Sequence, residues 1–399
     1  MNNLAYQEEP EVKTIPIMHF EQRKEAERFG KSAAIFEEIE EDYTKLGLIG
    51  EEHNKILSYI AAVSRKMDTP LNILVLSSSG AGKSALQDKT AKLTPEEDVI
   101  RTSSITDKAM FYMETKALKN KVLAIEEACG VKDMYAIRTL ITEGHLTIET
   151  VSGCKLRKNT VEGPVSVFQT TTNPDINPET KSRFFILGVD ESRTQTQKIL
   201  SSQRKAHTLE GIIQKASHEA IMTKHHNFQR LLRNYAVVNP YAESLFYGDD
   251  RLKARRDQPK FLNLCCAVAF LTQMRKEVKY HGELEYIEVD IDDIEMATEL
   301  ASEILGMSLD DLSLPARDLL MQLDEMLPKN KARFDRTFTR REVMEHIGWA
   351  KTRLHIHLQE LLDYELVVKT GKRNCVEQYK LIYNGEGKNG KKFLIGLSK

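Results

Sequence analysis

Apolar positions along the chain switch between two periods. From Gly50 to Met67, Ile56, Leu57, Ile60 and Val63 recur at helical spacing and predict an amphipathic helix, which Asp68-Thr69-Pro70 then breaks. Asn72-Ile73-Leu74-Val75-Leu76 follows, a short apolar run of the kind found in buried parallel strands. Similar runs lie at Lys121–Ile125, Val165–Phe168 and Phe184–Leu187, and helical patterns at Ser84–Lys92, Asp107–Leu118 and Met134–Glu143 separate some of them. Strands alternating with helices predict a layered α/β domain with a parallel sheet. Residues 1–45 are charged and weakly periodic, so they read as a mobile leader followed by a solvated helix. From about Thr194 to Leu312 the pattern is helical throughout.

After Pro315 comes a further helix and then a compact basic module over about 333–383. Thr339 is placed to cap a helix over Arg340–Ile347, and Gly348-Trp349 makes a turn. A second helix, Ala350–Leu362, turns Leu354, Leu358, Leu361 and Leu362 inward. Glu365–Lys369 and Val376–Ile382 then pair around Thr370–Asn374. A helix–turn–helix followed by a hairpin predicts a winged helix.

Composition narrows the class. The chain has 399 residues, 41% hydrophobic, which excludes a mainly disordered protein and allows two or three domains. The longest apolar run, near Leu262–Leu271, is half of the roughly 20 residues a membrane span needs. MNNLAYQEEPEVK at the start carries acids where a signal peptide has basic and then apolar stretches. A cytoplasmic protein with no membrane partner is the expectation. Five cysteines form no CxxC pair and sit near no histidine at zinc spacing, and Cys265-Cys266 falls inside an apolar stretch, so buried thiols in a reducing compartment are expected. His355 and His357 lack the spacing of a metal pair. The formal charge of −2 conceals an asymmetry: residues 331–399 hold 15 Lys/Arg against 8 Asp/Glu, a local +7 on an otherwise acidic body.

Candidate chemistry begins directly after the first strand. Ser77-Ser78-Ser79-Gly80-Ala81-Gly82-Lys83-Ser84 precedes a helix, as a phosphate-binding loop requires. Small residues let backbone N–H groups wrap phosphates, a lysine reaches the β/γ-phosphates, and a Ser/Thr hydroxyl holds Mg²⁺. Ser77 stands where the GxxxxGKS pattern has its first glycine. The strand Lys121–Ile125 ends in Glu126-Glu127; in an ATPase the first acid holds the metal's water shell and the second polarises the attacking water. Asp usually fills the first position. A third strand ends in Thr170-Thr171-Thr172-Asn173, where a polar group can orient the lytic water or cap a helix. Arg183, just before the next strand, is placed either to reach a neighbouring subunit's nucleotide or to close a surface salt bridge.

With these pieces in this order, the chain resembles an AAA+ ATPase. More closely, it resembles helicase-like AAA+ proteins associated with primases on phages and bacterial mobile elements, which are related in architecture to the minichromosome-maintenance helicases. SSSGAGKSAL, LAIEEACG, HLTIETVSG, VEGPVSVFQTTTN, SRFF and VDESRTQTQKIL carry the resemblance, from about Gly50 to Gln273. Together with the patterning, it divides the chain into a charged leader and helix at 1–49, an AAA+ P-loop core at 50–193, a helical lid region at 194–312 and, as a looser match, a winged-helix domain at 313–399. It implies ATP and Mg²⁺ bound by Ser79, Gly80, Ala81, Gly82, Lys83, Ser84 and Leu86, with Ser84 and Glu126 toward the metal. Glu127 is then the base, Asn173 (or Thr172) sensor 1, Arg183 an arginine finger acting in trans, and Arg256 (or Arg255) sensor 2.

Between the second and third motifs, Leu146–Val151 and the basic stretch after Ser152-Gly153-Cys154 read as a β-hairpin. The resemblance points such a hairpin into a central pore, where Lys155, Arg157 and Lys158 grip phosphates without regard to sequence. On the winged helix, Lys351 and Arg353 face a groove and Lys372 and Arg373 occupy the wing. The leading expectation is therefore a homo-hexameric or other ring that hydrolyses ATP between subunits and unwinds or translocates on single-stranded or forked DNA, with a separate protein supplying any primase. An initiator or loader that recruits another enzyme without unwinding is the alternative. A remodeller of protein complexes is disfavoured by the lack of an evident aromatic pore loop.

Overall fold

The structure is a computed structural model that describes residues 16–77, 82–126, 134–152, 155–172, 178–247, 254–304, 312–328, 336–373, 376–383, 385 and 397–398. The chain divides into two compact units, residues 1–238 with 266–288, and residues 239–265 with 289–399.

The first unit opens with helices α1 (Phe20–Gly30), α2 (Ile35–Lys45) and α3 (Glu52–Val63). Strand β1 (Ile73–Leu76), helix α4 (Lys83–Lys92), strand β2 (Val99–Thr102), helix α5 (Asp107–Phe111) and strand β3 (Lys121–Ile125) follow. Helix α6 (Tyr135–Glu143) leads into an antiparallel hairpin, β4 (His145–Ser152) and β5 (Lys155–Glu162). Next come β6 (Val165–Thr171), α7 (Pro178–Lys181), β7 (Phe185–Leu187), α8 (Arg193–Lys205), α9 (Leu209–Ala216) and α10 (His218–Leu231).

Five strands form one sheet in the order β2-β3-β6-β1-β7, every neighbouring pair parallel. The apolar runs become its centre because a parallel sheet is covered on both faces. Leu74, Leu123, Ile125, Val165 and Val167 pack with Met110, Ile137, Leu140 and Phe184 in one continuous core. Strand β2 has no apolar run to announce it; as a four-residue edge strand it is only half-buried.

Three expectations are corrected. The charged helices near the start are not solvated: α1 buries Ala26 and Phe29, α2 buries Ile35, Ile39 and Tyr43. Their few apolar residues lie on one face, and Phe29 meets Phe228 of α10 edge-on at 5.1 Å. The region after Thr194 is not helical throughout, since Ala236–Val238, Lys279–His281 and Leu284–Glu288 form a small three-stranded sheet. The helix expected over Asp107–Leu118 ends at Phe111. The side chain of Asn159 takes the carbonyls of Phe111 (2.7 Å) and Met113 (3.1 Å), an alternative to continuing the helical ladder.

The second unit contains α11 (Ala254–Leu271, whose last turns belong to the first unit), α12 (Ile291–Ile304), α13 (Leu314–Met326), α14 (Arg340–Ile347) and α15 (Lys351–Asp363). Strands Thr337–Phe338, Val376–Leu381 and Val367–Arg373 form an antiparallel sheet in that order. Leu319, Leu323, Phe338, Leu354, Leu358, Leu361 and Tyr379 make its core. Thr339 caps α14 with a reciprocal box: its hydroxyl accepts the Glu342 N–H at 3.2 Å, while the Glu342 carboxylate accepts the Thr339 N–H at 2.6 Å. Gly348, at φ 67°, ends the helix in the left-handed conformation that glycine tolerates.

Candidate nucleotide site

Strand β1 delivers the chain to the start of α4. Ser77 leaves the sheet beside β6, its N–H directed at the Thr171 carbonyl at 3.4 Å. Gly82, at φ 104°, precedes Lys83, a left-handed position that disfavours a side chain. A helix starting there directs its N-terminal N–H groups and its positive dipole end toward the loop, an arrangement suited to phosphate. Lys83 is buried at 8% exposure, Ser84 is exposed in the first turn, and Leu86 anchors the helix from below. Gln87 fixes the helix from one turn further on, its Nε2 donating to the carbonyls of Ile125 (3.2 Å) and Phe168 (3.0 Å).

Because β6 lies between β1 and β3, three loops leave the same edge of the sheet, where open α/β sheets bind ligands. Register pairs Leu76 with Thr171, and Ile125 with Gln169. The exposed Glu126 follows β3, its N–H held by the Thr102 carbonyl at 2.9 Å, and the exposed Thr172 follows β6. Ser79, Gly80, Ala81, Glu127 and Asn173 lie outside the described residues.

A cleft of about 490 Å³, within the usual range for a small-molecule site, adjoins the start of α4. Its walls are the turn from α2 to α3 (Thr44–Glu51), Ala85 and Lys89 of α4, and side chains of α8, α9 and α10. The turn is held by backbone acceptors. Lys45 O receives Gln214 Nε2 at 2.9 Å and bonds His218 Nε2 at 3.0 Å, while Ile49 O receives Gln195 Nε2. Glu51 accepts the Asp190 N–H at 2.8 Å, and burial raises its carboxyl above the ordinary value. Sequence reasoning missed this wall. Its signal was present in Gly47-Leu48-Ile49-Gly50-Glu51, where both glycines (φ 94° and 68°) and Glu51 (φ 62°) are left-handed.

Behind the wall, a buried polar chain fastens α10 to α2 and α3. Asp42 accepts from Lys224 and bonds His225 Nε2 at 3.0 Å, and His225 Nδ1 meets the Tyr59 hydroxyl at 2.8 Å. Burial drives His225 down to about 4, leaving it neutral at pH 7. Burial opposes the Asp42 charge, but His225 and Lys224 overcome it and hold that carboxyl at about 2.

The other expected residues are distributed as follows. Arg183 sits on the stretch leading into β7. Its Nε donates to Thr142 Oγ1 at 2.8 Å, and its Nη atoms reach the Glu179 carbonyl at 2.6 Å and carboxylate at 3.2 Å. Arg138 of α6 meets the same carboxylate at 3.2 Å. Arg183 therefore closes a local salt bridge in this chain, one of the two roles its position allowed. Arg256 lies in the first turn of α11, and its side chain is outside the described set, as are those of Lys155 and Arg373.

The hairpin exists as expected, its eight-residue strands paired from His145↔Glu162 to Ser152↔Lys155. Leu146 and Val161 root it, both fully buried, while Arg157 and Lys158 are exposed toward the tip. Lys351, Arg353 and Lys372 are exposed in the second unit, but Arg353 lies over the Trp349 ring at 3.9 Å.

Among the described residues no cluster of His, Cys, Asp and Glu could hold a metal, and no helix is long and apolar enough to cross a membrane. The donors at α4 nevertheless suit a nucleotide with Mg²⁺: a glycine-led helix start, a buried lysine and an exposed hydroxyl. A search of curated proteins finds no significant match. A family model for the MTBMA_p00010 P-loop domain matches residues 21–234, which is more than half of the chain and includes α1, α2 and α10 as well as the sheet. With a glycine-led helix after β1 and that match across the first unit, the chain belongs to the MTBMA_p00010 P-loop domain family and is a P-loop nucleotide-binding protein.

Proposed function

We propose that this chain is an AAA+ ATPase that assembles into a ring, hydrolyses ATP between subunits and translocates on or unwinds DNA during replication of a phage or mobile element. One observation supports the DNA reading: the antiparallel hairpin β4–β5, with Arg157 and Lys158 exposed, lies in the connection that runs from β3, which leads to Glu126, through α6 to β6, which leads to Thr172. The hairpin root, Leu146 and Val161, packs in the same core as Ile125 at the end of β3.

In this reading Lys83 and Ser84 hold the phosphates, Glu127 takes a proton from the attacking water, and Asn173 orients that water. Bound Mg²⁺ supplies neutralisation of charge on the phosphate oxygens. Arg183 leaves Glu179 to stabilise a neighbouring subunit's transferring phosphate, and Arg256 acts as sensor 2. The second unit serves as a winged helix, with Lys351 and Lys372 toward DNA.

The test is strand displacement from a forked duplex. Arg157→Ala with Lys158→Ala should retain DNA-independent hydrolysis and lose displacement; normal displacement would refute the hairpin's role. Wild type with DNA-stimulated hydrolysis but no displacement would establish the loader instead. Glu127→Gln should bind ATP and stall.

A further inference from the structure

The second unit has a cavity beside the start of α15, and of the cations assigned to DNA above only Lys351 lines it. It measures about 590 Å³ and lies between α14, the start of α15 and the strand Val376–Leu381. Met344, Trp349 and Val376 give it apolar walls, and Val376 is 48% exposed. Two of its cations are neutralised in place. Arg340 bonds the Tyr379 hydroxyl at 2.7 Å and Glu377 at 3.1 Å, and Arg341 pairs with Glu345 at 2.8 Å. Lys351 has no ion-pair partner among the described residues, so it leaves one uncompensated positive charge on the lining.

The indole is held in position before any ligand arrives. Arg353 stacks over it at 3.9 Å, and the His357 ring meets it edge-on at 5.8 Å. His357 lies 3.4 Å from Glu360, whose carboxylate also accepts the Ser313 N–H and hydroxyl at 2.7 Å each. A fixed aromatic wall, apolar neighbours and one free cation match a base with its phosphate. Stacking on aromatic side chains and phosphate contact are the two recurring components of single-strand recognition.

We propose that this cavity binds an unpaired nucleobase of single-stranded nucleic acid, the base against Trp349 and the adjoining phosphate at Lys351. The proposal rests on the nucleic-acid reading given above. It assigns Arg353 to bracing the indole rather than to a duplex groove.

Trp349 is the chain's single tryptophan, so its emission reports this cavity alone. The full chain is titrated with a short oligothymidylate and with an abasic oligonucleotide of equal length, following emission and anisotropy together. Oligothymidylate should quench Trp349 saturably, with the same midpoint as the anisotropy; the abasic strand should not quench. Val376→Glu, on an exposed position, should raise the oligothymidylate midpoint about tenfold, within the range of one stacked base. Anisotropy without quenching, equal quenching by the abasic strand, or an unchanged midpoint in Val376→Glu overturns the pocket and leaves the nucleic-acid reading standing. Binding of neither oligonucleotide overturns both and directs attention to a protein side chain as occupant.

Discussion

The buried Asp42–His225–Tyr59 chain makes a quantitative prediction about the wall of the candidate cleft beside α4. In the folded chain His225 resists protonation until about pH 4, whereas an unfolded histidine takes a proton near 6.5. The folded value is the lower one, so between pH 6.5 and 4 the unfolded state binds more protons and folding weakens as pH falls. The slope is about 1.4 kcal/mol per pH unit, and the full displacement corresponds to about 3 kcal/mol. Asp42 contributes separately and lower: its stabilisation is complete above its ordinary 3.8 and is lost as pH falls toward about 2. Tryptophan fluorescence cannot follow this unit, because Trp349 belongs to the other one. Hydrogen exchange of peptides covering α10, corrected for intrinsic rates between pH 7.5 and 4.5, can. The perturbation is His225→Gln, which removes the titration and leaves His226, also lowered by burial, in both proteins. Wild-type α10 should lose about 2–3 kcal/mol more opening free energy across this range than the variant. Parallel profiles would refute the account of His225 as a neutral buried partner of Asp42.

Other expected outcomes are simpler to read. Lys83→Ala should abolish the rise in melting temperature that ATP gives the wild type, read as the difference between thermal unfolding with and without ATP for each protein. Gln87→Ala removes both bonds that tie α4 to Ile125 and Phe168 and leaves a cavity; about 2–3 kcal/mol of stability should disappear in urea unfolding followed by circular dichroism. Gly50→Ala combines a left-handed residue with a Cβ driven into the Gln195 side chain, so ATP affinity measured by calorimetry should fall at least severalfold. Asn159→Ala frees the carbonyls of Phe111 and Met113 and should increase protease cleavage of the hairpin without changing ATP affinity.

Legibility in the sequence followed whether a structural cause was local. Thr339 announced itself as the cap of its helix because a cap and the N–H it accepts sit in one turn. The phosphate-loop helix and the strands β1, β3 and β6 were visible because burial on both faces demands an unbroken apolar run. Strand β2 was not, since an edge strand needs only half of that pattern. Helix α1 looked solvated because its burial depends on α10, nearly two hundred residues later in the chain, whereas α2 is covered by α3 and α4, where Tyr43 meets Tyr59 and Thr90. The shortening of α5 was hidden for the same reason: Asn159 arrives from a strand 46 residues beyond Met113.

By itself, then, the sequence determined that there is a P-loop helix, an α/β sheet around it, a basic hairpin and a capped basic module, all consequences of neighbouring residues. Only the tertiary structure decided what those parts face. Sheet order brought the ends of β1, β3 and β6 to one edge, and packing of α8 to α10 against the Gly47–Glu51 turn made a cleft from segments without a shared motif. It also drew Arg183 onto Glu179 and laid Arg353 over Trp349, assigning partners to cations whose side chains could reach several. The physical reason is range: capping, periodicity and loop chemistry act within a turn, whereas burial and charge pairing depend on whichever distant segment the fold brings alongside.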